Sequence, residues 1–175
     1  PSPETYYKDW LNIAQNTSQH LGEKMTITQN TPPANEYSAK GEKGLLDGIK
    51  GYKDFNINWM GWYGKDPEII IDTKKINYST LKMGFLEDKR NKKIQPSKVT
   101  IFGIKNNKWE LITSKKEEHL AENYDITTKN WEFNTTIFSN FDTIKIKIIN
   151  QRSLPEWRNR KNKKPMVMLD EIEFF

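Results

Sequence analysis

The sequence holds no cysteine, which removes disulfide frameworks, thiolate metal sites and cysteine nucleophiles. That absence says little about compartment, since a domain of this size folds without disulfides. Histidine is nearly absent too, with only His20 and His119. No apolar run approaches the roughly 18 residues of a membrane span. No phosphate-cradling glycine loop, nucleophile elbow or zincin helix occurs. Neither sign of charge dominates: 28 Lys and Arg against 23 Asp and Glu leave a net charge of +5. That surplus is spread along the chain and permits an anionic partner without demanding one. Aromatics, by contrast, are plentiful, with six Trp, seven Tyr and eight Phe. A disordered chain is poor in such residues, so a packed core is expected. The 175 residues fit one domain, with or without a short appendage. The chain opens Pro1-Ser2-Pro3, with no Met and no signal peptide, and reads as a processed protein or a piece of a longer one.

Two regions differ in period. Tyr7, Trp10, Leu11 and Ala14 fall at helical spacing and Gly22 suits a C-cap. Residues 1–22 therefore read as a short N-terminal helical lead-in, or a linker from a preceding module. From residue 24 the period is two. Met25 and Ile27 alternate with polar neighbours, as do Leu81, Met83 and Phe85, Val99 and Ile101, and Ile144, Ile146 and Ile148. The run 68–72 is a short buried strand, 167–175 a final one, and Asn106-Asn107 a hairpin turn. Strands with turn signals between them and no recurrent helix predict an all-β, antiparallel β-sandwich over 23–175. Three irregular stretches, 41–66, 87–96 and 151–165, interrupt the strands. Strand counting sends all three to one end, provided 123–138 supplies an odd number of crossings. Loops clustered on a rigid scaffold are a natural place for function.

Candidate chemistry is sparse. His20 is expected at the end of the lead-in helix, where imidazole suits the dipole, and His119 in a solvated charge run. Asp170 and Glu171 are strand neighbours that would point to opposite faces, which argues against an acid–base pair. In the stretch 41–51, Gly44, Gly48 and Gly51 allow tight turns that expose carbonyl oxygens. Asp47, with Glu171 if the last strand passes beneath, could complete a hard-cation site. The alternative is that Asp47 caps a turn.

Leu46-Asp47-Gly48-Ile49-Lys50-Gly51, then Asn58-Trp59-Met60-Gly61-Trp62, then Ile71-Asp72, resembles the opening of a galactose-binding-like, discoidin-type (coagulation factor type C) domain. It is similar in particular to the ancillary C-terminal domain of bacterial hexosaminidases and related glycoside hydrolases. Phe85-Leu86-Glu87-Asp88 with Ile94 and Pro96, then Leu154-Pro155-Glu156-Trp157, then Asp170-Glu171-Ile172, extend the similarity over roughly 24–175. Leu46 and Thr73-Lys74 depart from the family pattern. The resemblance implies a jelly-roll sandwich with a structural calcium ion, held by Asp47, Glu171 and backbone carbonyls of the 43–58 loop. It also implies a secreted, periplasmic or cell-surface setting beside a covalently linked catalytic domain.

A sugar site needs an aromatic plane for the C–H face of the ring and fixed polar groups for its hydroxyls. Trp62, Tyr63 and Trp157 are candidate platforms, one of which should be exposed, and Arg90, Asn91, Arg158 and Asn159 are candidate polar partners. Trp59, Trp109 and Trp131 are assigned to the core. The basic runs 89–93 and 158–164 would suit an anionic glycan or serve only solubility. A nucleic-acid partner is disfavoured, because it calls for greater excess charge and recognisable stacking elements. The expectation is a non-catalytic carbohydrate-binding module. The alternative is a structural or protein-interaction spacer of a glycosidase, and no enzymatic constellation is present.

Overall fold

The computed structural model describes residues 16–38, 41–52, 58–117, 122–154 and 164–175. Among these, nine strands form: β1 (Thr26–Gln29), β2 (Met60–Tyr63), β3 (Glu68–Asp72), β4 (Thr80–Glu87), β5 (Lys98–Lys105), β6 (Lys108–Lys116), β7 (Thr127–Asn134), β8 (Thr143–Ile149) and β9 (Met166–Phe174). They make two antiparallel sheets, ordered β1-β3-β8-β5-β6 and β2-β9-β4-β7. The expected all-β sandwich is what the chain adopts.

Alternation explains the layers. Ile144, Ile146 and Ile148 of β8 face inward beside Ile69 and Ile71 of β3 and Val99 and Ile101 of β5. From the other sheet come Leu81, Met83 and Phe85 of β4, with Val167, Leu169, Ile172 and Phe174 of β9. All of these are buried, so one hydrophobic layer holds the two sheets together. Asn106 and Asn107 have φ of 51° and 61°, the left-handed pair that a two-residue hairpin between β5 and β6 requires.

Three expectations need correction. The sequence suggested helix through residue 22, yet 16–20 is extended. Thr17 bridges Ile49, and the Ser18 N–H donates to the Gly48 carbonyl at 2.7 Å. Only a 3-10 turn at Leu21–Lys24 follows, and Gly22 lies inside it. The reason is tertiary. β2 pairs with β9 only over residues 166–169, so the rest of that edge of β9 needs polar partners, and 16–20 with 47–51 fills the gap. The residues at helical spacing, Tyr7 to Ala14, lie outside the described residues. Trp109 is not core: on the edge strand β6 it is 37% exposed, with the Lys145 ammonium 4.6 Å from its ring centroid. Finally, Asp170 and Glu171 do not oppose each other across the sheet. β4–β9 pairing shifts register between Met83 and Phe85, so β9 carries one extra residue there. Both carboxylates meet the same loop, Asp170 Oδ2 accepting from the Gly51 N–H and Glu171 Oε2 from the Gly48 N–H.

The three irregular stretches divide. β7 supplies a single crossing, and 64–66, 88–96 and 150–154 emerge at one pole, beside the start of β9. The segment 41–52 instead lies along the edge of β9.

Candidate functional site

At that pole β2 ends on Trp62 and Tyr63, and the alternation of the strand separates them. Trp62 points inward, is fully buried and donates its indole N–H to the Thr31 carbonyl at 2.8 Å. It is core, not a platform. Tyr63 points outward and is 42% exposed. Its hydroxyl accepts from the Lys164 N–H at 2.9 Å, which fixes the ring. Buried Asn150 ties the surroundings together, donating to the Pro165 carbonyl at 3.1 Å and the Trp62 carbonyl at 3.4 Å. Asp66 accepts from the Asn150 N–H and from Arg152.

The neighbouring wall is the loop Asp88–Lys93. Its ends exchange backbone bonds, Asp88 N–H to Lys93 carbonyl at 2.8 Å and the reverse at 3.0 Å. The Asp88 carboxylate caps the 3-10 turn between them and holds the Asn91 side-chain amide at 2.7 Å. Lys92 and Met166 close the loop onto β9. Residues 35–37 form the opposite wall, where Tyr37 packs over Gly61 and the Lys93 ammonium lies 5.4 Å from its ring centroid. Between these walls is an open pocket of about 520 Å³, lined by Glu36, Tyr37, Tyr63, Asn91, Lys92, Lys93 and Met166, with Ala34. Two aromatic rings, two ammonium groups, an amide and a carboxylate converge there. Such a set can stack an apolar ring face and bond hydroxyls or an acid group around it.

Of the expected binding residues, Tyr63 and Asn91 are thus brought together. Arg90 leans away, its guanidinium 5.1 Å from the ring centroid of Tyr124. Trp157, Arg158 and Asn159 lie outside the described residues, as does His119. Trp59 and Trp131 are core, the latter donating to Gln95 at 2.8 Å. Sequence reasoning missed Glu36 and Tyr37, whose only signal is an aromatic residue in a segment that follows Pro32-Pro33.

The expected calcium ligands Asp47 and Glu171 lie elsewhere, beside the edge of β9. Asp47 is exposed and its Oδ1 accepts from the Ile49 N–H at 2.8 Å, the turn-capping alternative. Glu171 is fully buried. Its Oε2 accepts from His20 Nε2 and from the Gly48 N–H, both at 2.6 Å. His20 thus lies not at the C-terminal end of a helix but at the N-cap of the 3-10 turn Leu21–Lys24, where it is a buried partner of Glu171. Its Nδ1 accepts from the N–H groups of Gly22 and Phe174, at 3.0 and 3.3 Å, which places the ring hydrogen on Nε2. A cation beside that oxygen would face two N–H dipoles positive end first.

No family model matches the sequence, and no curated protein does. Solved structures do match. A GH31 CBM32-2 module solved bound to GalNAc aligns with a TM-score of 0.55 at 13% identity, over 86% of this chain and 97% of that one. A fucose-binding module of Streptococcus pneumoniae aligns at 0.53 and 13% identity, over 90% and 98%. A Ruminococcus gnavus GH29 fucosidase in complex with fucose aligns at 0.52 and 15% identity, over 95% of this chain but 28% of the fucosidase. The fold is the galactose-binding-like sandwich of CBM32 modules. Two of these neighbours in structure are sugar-binding modules and the third is a fucosidase. No helix among the described residues is long and apolar enough to cross a membrane.

Proposed function

We propose that this chain is a non-catalytic carbohydrate-binding module, an ancillary domain of an extracellular glycoside hydrolase. Its sugar site is the pocket between Tyr37, Tyr63 and the Asp88–Lys93 loop. The observation that carries this reading is Tyr63, a pinned yet exposed ring beside fixed polar groups, on a scaffold shared with modules solved bound to GalNAc or described as fucose-binding. In this reading Tyr63 takes the C–H face of one pyranose, Asn91 and Glu36 bond its hydroxyls, and Lys92 and Lys93 favour an acidic substituent. Binding of galactose, GalNAc, fucose and uronic or sulfated glycans is measured by calorimetry or on an array. At least one should bind, and Tyr63→Ala should weaken it by about tenfold or more with little change in melting temperature. A folded protein that binds no glycan would instead support a spacer of a glycosidase. Turnover of a glycoside by the isolated chain would overturn the non-catalytic reading.

A further inference from the structure

The edge of β9 carries an arrangement that a sugar-binding reading leaves unused. A loop rich in glycine meets two buried carboxylates, the setting in which the resemblance implies calcium. Here, however, several of the polar groups among the described residues are matched to one another. The Gly48 carbonyl accepts from the Ser18 N–H at 2.7 Å, and the Asn16 carbonyl accepts from the Lys50 N–H at 2.8 Å. Asn16 Nδ2 donates to the Gly51 carbonyl, the Leu46 N–H to the Lys43 carbonyl, and Trp59 Nε1 to the Tyr52 carbonyl. These carbonyl oxygens thus face N–H groups. The carboxylate of Glu171 is gripped by His20 Nε2 and the Gly48 N–H, and that of Glu173 by the Ser18 hydroxyl and Lys50 Nζ.

Gly48 shows how closely the two segments fit. Its φ is +79°, and a Cβ there would lie 2.5 Å from the Ser18 carbonyl oxygen. The run 16–20 therefore occupies the space in front of Gly48 and supplies donors to the Gly48 and Gly51 carbonyls.

We propose that Asn16–His20 is a built-in clasp that takes the place of a structural cation, locking the 47–51 loop to β9 through His20 and Glu171 so that the domain is held without metal. A ligand bound only by the native state must raise the melting temperature, and a clasp made of the chain itself leaves nothing for calcium to add.

The test is thermal melting of the full chain in chelator and in millimolar calcium, for the wild type, His20→Ala, His20→Gln and Asp47→Ala. The wild type should melt within about 1 °C in the two conditions. His20→Ala should lose about 5 °C or more in both, because Glu171 is then buried without one of its donors. His20→Gln, which retains a side-chain N–H donor, should recover part of that loss, and Asp47→Ala should change little. A rise of several degrees on adding calcium to the wild type would overturn the proposal, as would a His20→Ala protein that melts like the wild type. Should His20→Ala fail to fold, the wild-type comparison and His20→Gln decide. Sugar binding plays no part in these outcomes, so the two proposals fail separately.

Discussion

The two ends of β9 meet loops in opposite ways. Near Glu171 and Glu173, carboxylates, amides and carbonyls pair with one another, and the carboxylates are buried. Near Met166, the loop bonds are made just as firmly, but Tyr63, Asn91 and Lys92 are left accessible around a pocket. A strand can therefore support a loop either as a seam or as a stage. What separates the two is whether the polar side chains meet each other or face solvent.

Mutations can break this contrast. The largest effect should come from Trp62→Ala beside the pole. Removing a fully buried indole should cost about 3–5 kcal/mol in chemical denaturation, whereas Tyr63→Ala should cost under about 1 kcal/mol. Gly51→Val comes next. A Cβ at Gly51 would fall 2.2 Å from Trp59 Cε2, so the seam must open, with a loss of about 1–3 kcal/mol. Glycan affinity at the pole should survive in the fraction that folds.

Acid should loosen the seam through Glu173. Burial works against its ionisation, but its bonds to Ser18 and Lys50 and the nearby His20 hold its carboxyl below the ordinary value of 4.5. The folded value thus lies below the unfolded one. The stabilisation is present above 4.5 and is lost as pH falls through the folded value. Melting temperature recorded between about pH 3 and 6 should drop at the acid end, and Glu173→Gln should flatten that drop. The smallest effect is expected for Arg152→Ala. Its bond to Asp66 at 2.8 Å is solvent-exposed on the arginine side, so the loss should stay below about 1 kcal/mol.

How much of this was legible in the sequence depends on the range over which each feature is decided. The Ile–Lys alternation of β8 and the Asn106-Asn107 turn are local, and both appear where the pattern puts them. So does the convergence of loop ends at one pole, which follows from counting strands. Trp62 and Tyr63 were harder. A four-residue strand bounded by loops has too little alternation to tell which ring faces inward. His20 was misread because its partner lies 151 residues further on, and no local signal marks a pairing of that span. Of the candidate site, Tyr63 and Asn91 could be reached from residue type and loop position. Glu36 and Tyr37 could not, since only the packing of Tyr37 over Gly61 brings that segment to the pocket.

The extra residue in β9 has its own consequence. Leu169 and Ile172 both face the core although three positions separate them, so the inward phase switches from odd to even numbers at Asp170-Glu171. Strict alternation of this same sequence, with no bulge, would turn Ile172 and Phe174 away from the core. The closing five residues are thus in phase with the sandwich only because of a local irregularity, and that same irregularity aims two acids at one loop.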